Sequence, residues 1–309
     1  MPLHPQSRDY IAVHPSDLGV DPATLDLAGI QELRAHDGLA AQRGPLTKLP
    51  YVRDERAEGV PIRIYRADPG DAPLPVVVYF HGGGWVLGSV KRNDALGRDL
   101  AIRTGAVVVS ADYRLAPEHP FPAAADDAWT VVRDIFARPA FYQSNGRVAV
   151  VGDSAGGNLA AVAAWQARDA GLRLAHQVLV YPVLDVAMDT PSYTEFAKGF
   201  GLEAAEMAWF ARQYAPDADP ADPRLSPLCL PDVAGLAPAT IVTADHDVLR
   251  DEGESYARRL KQAGVPVGLR RFGGAVHNFF GLPGLFDQAD EARDHIARRL
   301  REALCPTPS

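Results

Sequence analysis

Cysteine is scarce in this chain of 309 residues, which holds only Cys229 and Cys305. Two cysteines build no disulfide framework, so reduced thiols are expected. No Cys/His group has the spacing of zinc ligands, and no metal or other cofactor is expected. An apolar run of about 18 residues is also missing, so no segment reads as a membrane span. Residues 1–18 carry His4, Arg8, Asp9 and Asp17 without an apolar core, which does not read as a signal peptide. No Lys/Arg cluster offsets the net charge of −8, which argues against a nucleic-acid partner. Internal repeats are absent. With 47% hydrophobic and 23% charged residues, the composition is that of a soluble globular protein, expected to be cytoplasmic.

Short apolar runs are plentiful. They predict strands at 51–56, 62–65, 76–80, 106–110, 148–151, 177–181, 239–243 and 265–272. From Val76 onward they alternate with helical segments, including 123–136, 158–168 and 287–303, which implies an α/β fold: a mostly parallel sheet with helices on both faces. The polar, charged opening pair is expected to form an antiparallel edge. Two regions break the rhythm. One is the N-terminus, with a helical stretch over 22–41 ending near Gly44-Pro45. The other is 187–224, which carries Tyr193, Phe196, Phe200, Met207, Trp209, Phe210 and Tyr214. Taken plainly, the second is a surface helical pair using these aromatics as its own small core.

Ser154 stands in Gly152-Asp153-Ser154-Ala155-Gly156-Gly157, directly after the apolar run Val148-Ala149-Val150-Val151. A strand, a Gly-x-Ser-x-Gly turn and a helix together make a nucleophile elbow. The serine takes a strained backbone conformation there, and small residues two positions either side let the strand and helix pack. The pattern alone is weak, with roughly 0.08 matches expected by chance at this composition. His81-Gly82-Gly83-Gly84-Trp85, after the strand 76–80, is rarer, at roughly 0.006. Three glycines leave backbone N–H groups free to point at a developing oxyanion, although a flexible glycine turn would look the same.

A reactive serine needs a base, and the base needs an orienting carboxylate. In elbow-bearing hydrolases the order is Ser, then Asp or Glu, then His. His176 opens a strand, His295 lies in a charged terminal helix, and His246 sits on the turn expected to carry the acid. His277 follows the strand 265–272 and the loop Gly273-Gly274-Ala275-Val276, where the base belongs. For the acid, Asp251 begins a helix and reads as a cap. Asp245 and Asp247 both remain, with geometry favouring Asp247 modestly because it lies further out on the turn.

The chain resembles the bacterial hormone-sensitive-lipase-like (family IV) carboxylesterases, a branch of the α/β-hydrolases. The match is carried by His81 to Trp85, Asp112-Tyr113-Arg114-Leu115-Ala116-Pro117-Glu118, Gly152 to Gly157, Tyr181-Pro182-Val183-Leu184-Asp185, and Asp247-Val248-Leu249-Arg250-Asp251 with His277. It covers residues 75–280 or so. The resemblance implies Ser154 as nucleophile, Asp247 as acid and His277 as base, with oxyanion donors from the N–H groups of Gly83, Gly84 and Ala155. Within 114–122 it implies scaffold, and no chemistry is assigned to Glu118 or His119. It implies a catalytic domain of 46–186 and 225–309 under a cap built from 1–45 and 187–224. Trp85, Trp209 and Phe210 are then candidates to line the substrate pocket, Trp85 because it adjoins the glycine loop. Two departures stand out: Val248 where the family has proline, and Asn278 where it has glycine.

The activity implied is hydrolysis of short- to medium-chain carboxylic esters through an acyl-enzyme on Ser154, with a small-molecule ester as partner. Dimers are common in the family, but no stretch of this chain marks a homodimer interface. Two alternatives remain. One is an amidase, arylformamidase or carbamate hydrolase with the same triad. The other is a non-catalytic small-molecule receptor like the plant gibberellin receptors, which resemble the family but lack a working base.

Overall fold

The chain arranges eight strands in one sheet: β1 (Tyr51–Ala57), β2 (Val60–Arg66), β3 (Leu74–Phe80), β4 (Val107–Ala111), β5 (Ser144–Asp153), β6 (Leu174–Val180), β7 (Ala239–His246) and β8 (Val267–Val276). The computed structural model describes residues 1–305. The strand order is β1-β2-β4-β3-β5-β6-β7-β8. β1 pairs antiparallel with β2, and β2 antiparallel with β4. All later neighbours run parallel. The polar opening pair is therefore the antiparallel edge, and the fold is the α/β arrangement expected from the sequence.

The helices are α1 (Pro5–Val13), α2 (Leu27–Ala35), α3 (Asp94–Thr104), α4 (Ala123–Ala137), α5 (Ala155–Asp169), α6 (Pro191–Glu195), α7 (Ala204–Tyr214), α8 (Arg250–Gln262) and α9 (Asp287–Leu304). Alternation along β3 shows why two layers form. Val76, Val78 and Phe80 face one core, shared with residues of α4, α5 and α8. Val77 and Tyr79 face the other, shared with α3 and α9. A strand buried on both faces reads as a continuous apolar run, and β3 does.

Several boundaries differ from expectation. The stretch 22–41 is not one helix. The Asp26 carboxylate accepts the Gly29 N–H at 2.9 Å and starts α2 afresh, while Asp21 caps a separate short turn, Pro22–Thr24. α1 was not expected at all; it packs Tyr10 and Ser7 inward. The run Gly273-Gly274-Ala275-Val276, read as a loop, is the end of β8, where Val276 aligns with His246 of β7. α5 starts at Ala155, immediately after the serine, rather than at 158. No helix among the described residues is long and apolar enough to cross a membrane.

Candidate active site

The C-terminal ends of β5, β7 and β8 converge, and each delivers one polar side chain. Ser154 follows β5 with φ +55° and ψ −121°, a conformation costing about 1–3 kcal/mol that persists only when its surroundings enforce it. They do. The Ser154 N–H donates to the Val180 carbonyl at 2.9 Å, and its own carbonyl accepts from Asn158 at 3.1 Å and Val183 at 3.2 Å. Glycine is required beside it. A Cβ on Gly156 would sit 2.0 Å from the Phe80 carbonyl oxygen, and one on Gly152 would sit 2.0 Å from that of Gly156.

His277 leaves β8 directly and Asp247 leaves β7. The His277 Nε2 lies 3.0 Å from the Ser154 Oγ, and its Nδ1 lies 2.7 Å from the Asp247 Oδ2. All three residues are buried. The second Asp247 oxygen accepts the Leu249 N–H at 3.0 Å, which fixes the carboxylate plane. Burial works against a charged imidazole, but the Asp247 carboxylate outweighs it by charge and hydrogen bond. The His277 pKa is thereby raised above its ordinary 6.5.

The competing candidates lie elsewhere. Asp245 accepts the Gly274 N–H at 3.2 Å and pairs with Arg271 at 3.4 Å, so it ties β7 to β8. His246 packs between Phe196 and Phe200, with ring centroids 5.2 and 5.5 Å away. His176 is inside β6 and meets the Thr240 hydroxyl at 2.8 Å. His295 is half-buried on α9. Asp251 is not the cap expected of it: α8 begins at Arg250 with no side-chain cap, and the Asp251 carboxylate instead accepts the Ser192 N–H at 2.9 Å.

The glycine loop is held from below. The Tyr113 hydroxyl donates to the His81 carbonyl at 2.6 Å, and its ring stacks on the His81 imidazole at 4.3 Å. Asp112 accepts the Val90 N–H at 2.9 Å. Tyr113 is therefore scaffold for this loop and Asp112 for the chain that follows it, while Arg114 pairs with Asp127 on α4 at 2.7 Å. Gly84 has φ +59°, and a Cβ there would strike the Phe210 ring at 2.2 Å. Gly83, Gly84 and Ser154 line one cavity of about 130 Å³, with Ala155 next in the chain.

That cavity sorts the three expected lining residues. Phe210 lines it. Trp85 does not: its φ of +60° turns it into the core, where it is fully buried and stacks on Tyr214 at 4.6 Å. Trp209 is likewise packed away, against Phe210 at 5.1 Å and the surrounding core. On a helix, Met207, Phe210 and Tyr214 share a face that Trp209 does not. Leu202 and Met207 from the insert, and Tyr10, Asp17 and Leu18 from the N-terminus, form walls that no motif announced.

Asp17 joins these parts. Its carboxylate accepts from the Asn278 side chain at 2.6 Å, next to the base. Its backbone N–H and that of Leu18 reach Glu206 on α7 at 3.3 and 2.7 Å. Asp17 is half-buried by area, yet its Oδ1 is shut off from solvent without a partner. Burial raises its pKa to about 7, against the lowering effect of His277. Asn278 itself adopts φ +65°, the left-handed conformation that asparagine tolerates. Among the described residues, no group of three or more His, Cys, Asp or Glu side chains is arranged to hold a metal ion.

A nucleophile elbow, a charge-relay geometry and a glycine loop on this sheet define a hydrolase, and comparison with known proteins agrees. The family described as alpha/beta hydrolase fold matches residues 77–281. The chain is 47% identical over 254 residues to carboxylic ester hydrolase LipN of Mycobacterium tuberculosis, covering 79% of this chain and 67% of that one. It is 40% identical over 297 residues to carboxylesterase NlhH of the same organism, covering 92% of each. Among solved structures, a hyperthermophilic esterase from Pyrobaculum calidifontis superposes with a TM-score of 0.88 at 39% identity, covering 98% of this chain and 99% of that one. The chain belongs to the alpha/beta hydrolase fold family.

Proposed function

We propose that the protein is a serine carboxylesterase working through an acyl-enzyme on Ser154. The observation that carries the reading is the unbroken path from the Ser154 Oγ through His277 to Asp247, at 3.0 and 2.7 Å, in a buried site open to a cavity. His277 takes the serine proton as Oγ attacks the ester carbonyl, and Asp247 holds the imidazole in the tautomer whose Nε2 is free to accept. The N–H groups of Gly83, Gly84 and Ala155 receive the developing oxyanion, each worth about 3 kcal/mol in the transition state. The alcohol leaves with the proton from His277. Water then repeats the sequence on the acyl-enzyme.

The walls from 1–45 and 187–224 act as a cap over the catalytic domain, pinned by Glu206 to the Asp17-Leu18 backbone. A cavity of about 130 Å³ with Phe210 on one wall suits short- to medium-chain acyl groups. The reading takes the protein as cytoplasmic, with a homodimer as the assembly to test by light scattering. Esters, rather than amides or formamides, are the substrates. A p-nitrophenyl acyl series assayed against matched anilides and formanilides tests this. Preferential ester cleavage is expected, and faster anilide or formanilide cleavage would overturn the assignment.

A further inference from the structure

The serine's cavity is not wholly apolar. Arg43 and Arg92 both line it, together with Tyr10, between the leucine walls Leu39, Leu96 and Leu282. The two guanidinium groups share one carboxylate. Asp37 accepts from Arg43 at 2.7 and 3.2 Å, and lies 3.4 Å from Arg92. Arg43 is thereby satisfied in the two-point geometry that arginine and carboxylate favour. Arg92 is not: that longer contact to Asp37 is its one ion pair among the described residues. Its side chain is 25% exposed, and what it is exposed to includes the cavity.

None of the Arg92 nitrogens is shut off from solvent without a partner, so its spare donors are open to a ligand. Its burial and the neighbouring Arg43 both disfavour its charge. Arg43 already holds Asp37 at two points, so the Arg92 contact to that carboxylate is the weaker of the two. The other carboxylates that line the cavity are Asp17 and Asp153, and Asp17 also favours the Arg92 charge. Asp153 accepts from the Tyr79 hydroxyl at 2.7 Å, and Asp17 is tied to Asn278 beside His277. The lining thus combines the reacting residues with two arginines and several leucines.

Resting on the esterase reading, we propose that Arg92, with Arg43 beside it, is an anion-recognising subsite. It selects esters that carry a carboxylate several bonds away from the scissile carbonyl. A carboxylate there would take the free donors of Arg92, and the leucines would cover the methylenes between. Neither arginine hydrogen-bonds a member of the triad, so the subsite acts on specificity and leaves the chemistry unchanged.

The test uses two pairs matched in carbon chain, with a carboxylate in one member where the other has a methyl group, one pair for each side of the ester bond. The first is monoethyl glutarate against ethyl pentanoate; the second is 4-acetoxybutanoate against butyl acetate. Release of acid or alcohol is followed for the purified full-length protein, and the readout is the ratio of kcat/KM within a pair. The wild type is expected to favour the anionic member of one pair. Arg92→Gln should lower that ratio by about 10- to 100-fold, the range for losing a charge-assisted hydrogen bond. Arg92→Lys should fall between, since it keeps the charge and loses the two-point geometry. Circular dichroism of both variants shows that a lost ratio is not lost fold. A wild type that prefers the neutral member of both pairs, or a ratio unmoved by Arg92→Gln, overturns the proposal and leaves the esterase reading standing. Failure to hydrolyse any of the four compounds, or p-nitrophenyl esters, overturns the esterase reading instead.

Discussion

Replacing Asp247 with asparagine should nearly silence the enzyme while leaving its shape intact. The Asp247 Oδ2 accepts the His277 Nδ1–H at 2.7 Å and its other oxygen accepts the Leu249 N–H at 3.0 Å. An asparagine keeps both positions filled. The Leu249 donor claims its carbonyl oxygen, which leaves the amide NH2 facing Nδ1. Nδ1 must then become the acceptor, so the proton moves to Nε2, the atom that has to be free to take the serine proton 3.0 Å away. The site is caught in the wrong tautomer. By analogy with other serine hydrolases this costs roughly 10³- to 10⁴-fold in kcat, about 4–5.5 kcal/mol of barrier. The companion variant is Asp245→Asn. That carboxylate bonds Gly274 and Arg271 rather than the imidazole, so its loss should lower stability by about 1–2 kcal/mol and kcat by less than roughly 10-fold. Both are measured with p-nitrophenyl butyrate at saturating substrate, alongside thermal melts. If Asp245→Asn were the slower enzyme, or Asp247→Asn retained more than about a tenth of wild-type kcat, the tautomer argument would fail.

Other expectations follow from the same geometry. Only neutral His277 accepts the serine proton, and its pKa is raised, so kcat/KM should climb with pH about a midpoint above 6.5. Asp247→Asn should shift that midpoint downward, and an unshifted profile would contradict the assigned cause. Asp17 has a folded pKa of about 7 against an ordinary 3.8, so its contribution to stability is full at low pH and lost as pH rises through 7. The melting temperature of Asp17→Asn relative to wild type should therefore increase from pH 5 to pH 8; a constant difference would show that Asp17 does not titrate there. Trp85→Ala removes a fully buried ring and should cost about 3–5 kcal/mol. Phe210→Ala should instead move the acyl-chain optimum of a p-nitrophenyl ester series toward longer chains, and reversed roles would return Trp85 to the pocket wall. Gly156→Ala must push a Cβ into the Phe80 carbonyl and should give little folded protein by size-exclusion chromatography.

The sheet was legible because its strands are short apolar runs separated by helices, and because the polar pair at 51–66 could only be an edge. The nucleophile was legible for a steric reason: a serine at φ +55° needs Gly152 and Gly156, and those glycines are visible as letters, whereas the choice of Asp247 over Asp245 leaned on the family resemblance. Cap and pocket were not. Tyr10, Asp17 and Leu18 reach the cavity through packing between segments nearly 200 residues apart, such as Leu18 with Glu206, and no local pattern encodes that. Trp85 was misplaced because adjacency in sequence says nothing about direction; a positive φ sent its ring away from the loop it follows. The stretch 22–41 looked helical by composition, but the Asp26 cap starts α2 afresh and extended backbone at His36 ends it after Ala35.

The account rests on Ser154 being the atom that takes the acyl group, and covalent labelling tests it most directly. The intact protein, treated with a fluorophosphonate or sulfonyl fluoride, should gain the mass of one adduct as activity is lost. Peptide mapping should place that adduct on Ser154, and Ser154→Ala should take up none. Inactivation with the adduct on another residue, or an unmodified Ser154 in fully inhibited protein, would contradict it.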